Sequence, residues 1–329
     1  MSLKMEFTRK VLRVKKAADA KKANVVSNSI YDVLEINNKS REVPNTLKKI
    51  AMRELNVTHT YIANVHCLEF KPRLKLKFYK NTPKESDLLY FYIHGGGFVG
   101  GFPEQGTYLI KALAQRFGLT TIAVDYTLSP EAIFPYSLNQ IVNVYKEIIK
   151  THSPKKIILG GESAGGNFCI ALLLKLKEEK IPMPKMCFLA SPFLDLTQSG
   201  ESYTTCAESD VSLSKKQLEY MAYGYVFGND ITKINPELLY NPLVSTTYAD
   251  LKGLPPTFIS VCEDEVLYSD SVKCYQQLKE AKVRTKLVTD KNCFHAYMIL
   301  GDFFEESSKA TDQLEQFIKS VFKIKNYDI

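Results

Sequence analysis

The chain is built from short apolar runs separated by helical patterns. Leu88 to Ile93, Thr120 to Val124, Ile157 to Leu159, Met186 to Ala190, Pro256 to Val261 and Thr285 to Val288 are runs with little or no polar alternation. Such runs are the mark of strands covered on both faces, as in parallel sheets. Between them, apolar residues recur at helical spacing: about Gly106 to Phe117, Pro135 to Lys150, Cys169 to Lys177 and Ser269 to Ala281, with a last amphipathic stretch from Glu305 to Phe322. Strand alternating with helix predicts a mostly parallel central sheet with helices on both faces. Residues 61–80 read differently. There Leu74, Leu76 and Phe78 alternate with lysines, which predicts antiparallel strands with one wet face. Residues 195–240 are polar, tyrosine-rich and helical in pattern, and they interrupt the rhythm directly after a buried strand. An insertion at that end of a parallel strand lies over the face where such sheets bind ligands. It is read as a cap, completed by helices within residues 1–55. The expectation is one domain over residues 1–329, without internal repeats or a linker.

Composition narrows the class. Apolar residues make up 45% and charged residues 24% of 329, which suits a globular chain able to bury a large core. No apolar run reaches the roughly 18 residues of a membrane span, so no stable membrane insertion is expected. The N-terminus lacks the apolar core of a secretory signal. Seven scattered cysteines suit reduced thiols better than a disulfide framework, and the location expected from these features is cytoplasmic. No His/Cys grouping has zinc spacing, so no metal is expected. The net charge of +7 gives no reason to expect a nucleic-acid partner, because most of it sits in residues 1–25, with eight Lys/Arg against two acids. In that stretch Phe7, Val11 and Val14 recur at helical spacing among the lysines. The reading adopted is a solvated helix whose apolar stripe packs on the body of the protein; the alternative is a helix lying on a membrane surface.

The chemistry gathers at Gly161-Glu162-Ser163-Ala164-Gly165, where an apolar run ends in glycines and a helical pattern follows. This is the strand–turn–helix spacing of a nucleophile elbow. The turn must hold the serine in a strained conformation, and side chains at 161 and 165 would collide with the neighbouring strand and helix. The following helix points its positive end at developing negative charge. A phosphate-holding turn is the competing reading of the same five residues. Three further features each follow a predicted buried strand: His94-Gly95-Gly96-Gly97, the acidic group Glu263-Asp264-Glu265, and His295.

Together these motifs resemble the hormone-sensitive-lipase-like branch of the α/β hydrolases, a family of carboxylesterases and lipases. The resemblance rests on His94-Gly95-Gly96-Gly97, Asp125-Tyr126 with Pro130-Glu131 and Pro135, Gly161-Glu162-Ser163-Ala164-Gly165-Gly166, Ser191-Pro192 with Asp195, and Leu254-Pro255-Pro256, and spans roughly residues 60–300. It implies an α/β-hydrolase fold with a helical cap. It also implies Ser163 as nucleophile, His295 as base, and the amides of Gly96, Gly97 and Ala164 as oxyanion hole, with no cofactor. The family frame of acid, one residue, leucine fits Glu265-Val266-Leu267, 30 residues before His295, and so implies Glu265 rather than Asp264 as the triad acid. Departures are Glu162 where Asp is common, Phe98 where Trp is common, and Ala296-Tyr297 after the histidine where Gly-Phe is usual.

The function expected is hydrolysis of short- to medium-chain acyl esters through an acyl-enzyme, with a small-molecule ester as partner and a homodimer as a possible assembly. The alternatives are an amide-directed deacetylase or acylamidase with the same triad, and a non-catalytic small-ligand receptor on the same fold. The retained His295 speaks against the last. His94 is read as tying its loop rather than acting as a base, and Asp125, Glu131 and Glu162 as positioning loops.

Overall fold

The computed structural model describes residues 1–26, 49, 53–73, 86–228 and 234–324, with only the backbone described for 19–26. Parts of the expected N-terminal helices, of the alternating stretch at 74–80 and of the insertion at 229–233 lie outside the described residues.

Eight strands form one sheet in the order β1-β2-β4-β3-β5-β6-β7-β8. They are β1 Leu55–Ile62, β2 Val65–Pro72, β3 Leu89–Ile93, β4 Thr120–Val124, β5 Ile157–Glu162, β6 Met186–Ala190, β7 Thr257–Cys262 and β8 Thr285–Asp290. The first two make an antiparallel hairpin, turned through Ala63 and Asn64 at positive φ, as tight hairpins require. The antiparallel region thus begins at Leu55, earlier than the alternation at 61–80 suggests. Its first strand, Leu-Asn-Val-Thr-His-Thr, is an edge with few buried positions and carries little periodic signal. β2 runs antiparallel to β4, and all remaining pairings are parallel. The ends of β3, β5, β6, β7 and β8 therefore lie along one edge of the sheet.

The two faces bury separate cores. Leu89, Phe91 and Ile93 of β3 pack with α3 Tyr136–Thr151, α4 Ala164–Glu178 and α6 Tyr268–Glu280. Tyr90 and Tyr92, the alternate positions, face α2 Thr107–Phe117 and α7 Glu305–Phe322. That is why β3 reads as an unbroken apolar run: both of its sides are inside. The insertion carries a one-turn helix at Ser202–Thr205, α5 Lys215–Phe227 and a 3₁₀ turn at Pro236–Tyr240, and no strand among its described residues.

The N-terminal helix α1, Leu3–Val26, overturns one expectation. Its apolar stripe does not pack on the body: Phe7, Val11 and Val14 are 69%, 50% and 71% exposed. The opposite face is the docked one. Met5 is buried, Arg9 donates to Asp264 at 3.1 Å and to the Cys293 carbonyl, and Lys16 donates to the Asp210 carbonyl at 2.6 Å. The helix is held by its own Arg9 and Lys16 donating to acceptors on distant loops, which hydrophobic periodicity does not register.

Candidate active site

Ser163 sits between β5 and α4 with φ 54° and ψ −122°, a conformation that costs a side-chain-bearing residue on the order of 1–3 kcal/mol. The strain is held by fixed neighbours. Its amide donates to the Ala190 carbonyl of β6 at 2.9 Å, and its carbonyl accepts from Gly166 and Phe193 at 3.0 Å each. A side chain at Gly161 or Gly165 would overlap the Ile93 carbonyl of β3, so the elbow can lie this close to the next strand only with glycine there. Ala164 opens α4, where the backbone N–H has no intrahelical acceptor.

The loop after β3 folds over this turn. Gly95 is so near that a Cβ there would run into the Glu162 carbonyl and Ser163 Cβ. Gly96 and Gly97 have φ 114° and 61°, and among the described residues no acceptor takes their amides. A Cβ on Gly97 would overlap the sulfur of Met221, so α5 of the insertion closes directly on this loop. Phe98 is stacked on Tyr225 of the same helix, ring centroids 4.1 Å apart, and meets Phe168 edge-on at 5.2 Å. His94 is buried, stacked on Tyr126, and its Nδ1–H donates to the Gly95 carbonyl at 2.7 Å. Burial lowers its pKa to about 4, so it is neutral and bound within the loop.

Glu162 fastens that loop to the elbow. One carboxylate oxygen, Oε1, accepts from the Gly95 amide at 2.7 Å, the Tyr92 hydroxyl at 2.9 Å and Gln105 Nε2 at 3.0 Å. The other has no hydrogen-bond partner among the described residues. Burial raises the carboxyl pKa to about 7, against the lowering by Gly95 and Tyr92. A carboxyl whose pKa rises from its unfolded value of about 4.5 favours folding while protonated and loses that contribution as pH climbs through about 7. The melting temperature of wild type relative to Glu162→Gln should therefore fall between pH 5.5 and 8.5, by the equivalent of about 2 kcal/mol. A difference that stays flat across that range would contradict the assignment.

On the next loops, His295 Nδ1 donates to Glu265 Oε2 at 2.6 Å. Glu265 is buried, and its Oε1 accepts from the Cys262 amide at 2.9 Å and from Ser191 Oγ at 2.5 Å. Ser191 Oγ in turn accepts from the Ala296 amide at 3.1 Å, so one hydroxyl ties the acid to the histidine loop. Asp210, from the insertion, accepts from the Val266 amide at 2.9 Å and steadies the acid loop from the other side. Burial opposes protonation of His295, but the hydrogen bond and charge of Glu265 outweigh it and raise its pKa above the ordinary imidazole value. Asp264 is turned away, accepting from Arg9 and from the Asn292 amide at 2.7 Å. Glu263 accepts from Thr289 at 2.8 Å. Ser191 and Asp210 were not singled out as site residues by sequence. Ser191 enters only as part of the Ser191-Pro192 motif of the family resemblance, and Asp210 is one acid in a polar insertion.

The profile of the α/β-hydrolase fold matches residues 90–299. The chain belongs to the α/β-hydrolase family. Its place in the hormone-sensitive-lipase-like branch is supported by a crystal structure of the hormone-sensitive-lipase homologue EstE7 from a metagenome library, 28% identical. That structure superposes with a TM-score of 0.72 over 89% of this chain and 99% of the other. Among curated proteins, an esterase of Acinetobacter venetianus is 32% identical over 71% of this chain and 75% of its own. An acetyl-hydrolase of Streptomyces hygroscopicus is 29% identical over 70% and 74%. As in other α/β hydrolases, the residues described above stand at the carboxyl ends of the parallel strands.

Proposed function

We propose that this carboxylesterase/lipase-type hydrolase cleaves short- to medium-chain acyl esters through Ser163, His295 and Glu265 by way of an acyl-enzyme. The observation that carries the reading is the His295–Glu265 pair at 2.6 Å, on the same sheet edge as a serine in a strained strand-to-helix turn. In this mechanism His295 Nε2 takes the Ser163 proton as Oγ attacks the acyl carbonyl, and then protonates the leaving alcohol. Glu265 keeps the imidazole proton on Nδ1 and stabilises the imidazolium. The oxyanion is received by the amides of Gly96, Gly97 and Ala164, each worth about 3 kcal/mol in the transition state. Water then enters by the same base and releases the acid. No step calls for a cofactor.

The cap in this proposal is formed by the N-terminal segment (about 1–55) and the insertion (about 195–240). Met221 and Tyr225 of α5 close on Gly97 and Phe98, which favours a small acyl group beside the oxyanion loop. The similarity to an acetyl-hydrolase points the same way. Hydrolysis of p-nitrophenyl acetate and butyrate, compared with the matching anilides, tests the reading. Rapid turnover of the esters over the anilides is expected; turnover of neither, or preference for the anilides, would contradict it.

The pH profile is a second check. Because the base must be neutral, kcat/KM for a neutral ester should fall as pH drops and His295 takes up a proton. The raised pKa of His295 places the midpoint of that limb above the ordinary imidazole value of about 6.5. In Glu265→Gln the midpoint should move to lower pH, since its largest raising partner is gone. A midpoint indifferent to residue 265 would break the link.

A further inference from the structure

The outward face of α1 combines two features that the ester chemistry does not use. Leu3, Phe7, Val11 and Val14 are 86%, 69%, 50% and 71% exposed. At 100° per residue they fall within an arc of about 80°, opposite the docked side. Exposed Lys10 and Lys15 flank this stripe on its two borders, and exposed Arg13 lies nearer the docked side. Residues 3–18 contain six Lys/Arg and one acid, Glu6, and Glu6 is paired with Lys10 at 2.8 Å.

An apolar stripe bordered by cations fits one occupant better than others. A second copy of this chain on the same face would bring cation against cation. A bilayer of anionic lipid offers hydrocarbon to the stripe and phosphate and carboxylate to its borders. Among the described residues no helix is long and apolar enough to cross a membrane, and the cations of α1 keep it in the plane of the surface. We propose that α1 is a peripheral anchor that lays the protein on an anionic lipid surface.

The inner face of the same helix makes the orientation productive. Arg9 grips Asp264 and the Cys293 carbonyl, beside Glu265 and His295. Lys16 grips the Asp210 carbonyl, and Asp210 holds the Val266 amide. An anchored α1 would hold the loops bearing Glu265 and His295 about one helix diameter, roughly 10 Å, from the lipid. The anchor itself does not depend on the ester-hydrolase reading.

The chain has no tryptophan, so Phe7→Trp places a single, selectively excitable tryptophan on the proposed contact. With vesicles of phosphatidylcholine and phosphatidylserine at 7:3 and 0.1 M NaCl, its emission should shift to the blue and the protein should float with the vesicles. Pure phosphatidylcholine or 0.5 M NaCl should reduce flotation at least tenfold. The triple variant Phe7→Ser, Val11→Ser, Val14→Ser should lose it at least tenfold while keeping wild-type melting. The proposal is overturned by unchanged emission, by absent or charge-indifferent flotation, or by a triple variant that floats as well as wild type. A wild-type dimer that the triple variant dissolves, with no vesicle binding, would instead assign the face to a second copy.

Discussion

Ser163→Ala is expected to reduce ester turnover by about six powers of ten while leaving the far-UV circular dichroism unchanged. The size follows from cooperation: without Oγ, neither the imidazole nor the acid has a proton transfer to assist, so the loss approaches that of the whole triad. The amides of the oxyanion hole remain and leave a small residual rate over water. The fold has no reason to fail, because the bonds that hold the elbow run through the backbone of residue 163 to Ala190, Gly166 and Phe193. Kinetics on purified variant, with contaminating wild type excluded by active-site titration, check this. A variant within a hundredfold of wild type would remove Ser163 from the mechanism.

The next largest effect is expected at Glu265. In Glu265→Gln the carboxamide oxygen should take the place of Oε1, because the Cys262 amide there can only donate. That leaves the NH₂ facing His295 Nδ1. The imidazole must then put its proton on Nε2, where it should accept one from serine, and kcat should fall on the order of 10⁴. Asp264→Asn should cost less than about tenfold. Asp264 is bound to Arg9 and the Asn292 amide, so its loss would loosen α1 rather than disturb the imidazole. The two kcat values side by side decide the point; a crippled Asp264→Asn with a near-normal Glu265→Gln would reverse the assignment.

The central fold was legible because burial on both faces leaves a direct trace. β3, β5, β6 and β7 are fully buried, and the runs Leu88 to Ile93, Ile157 to Leu159, Met186 to Ala190 and Pro256 to Val261 locate them within a residue or a few. The elbow was legible because the close approach of β3 admits only glycine at 161 and 165. The choice among Glu263, Asp264 and Glu265 was not contained in residue type, since adjacent positions on one loop face different ways. It came from the family's spacing, and the contacts of the three carboxylates separate them.

Other features were invisible for definite reasons. The stripe on α1 could be read, but not its direction, because Arg9 and Lys16 dock on carbonyls more than 190 residues away. Ser191 earns its place only once β6, β7 and β8 are adjacent and its hydroxyl can reach both Glu265 and the Ala296 amide. Ala296 itself has φ 54° and ψ 27°, in the left-handed region. That accounts physically for the glycine that the family resemblance sets there, since a Cβ costs about 1 kcal/mol in this conformation.

Covalent trapping with a p-nitrophenyl phosphonate ester tests the central claim most directly. The phosphonyl group should attach to the Ser163 oxygen with release of p-nitrophenolate. Intact-mass and peptide mass spectrometry should find one adduct per chain, on the peptide carrying Gly161-Glu162-Ser163, formed far more slowly in His295→Ala and absent from Ser163→Ala. An adduct on another residue, or equal labelling of Ser163→Ala, would contradict the account.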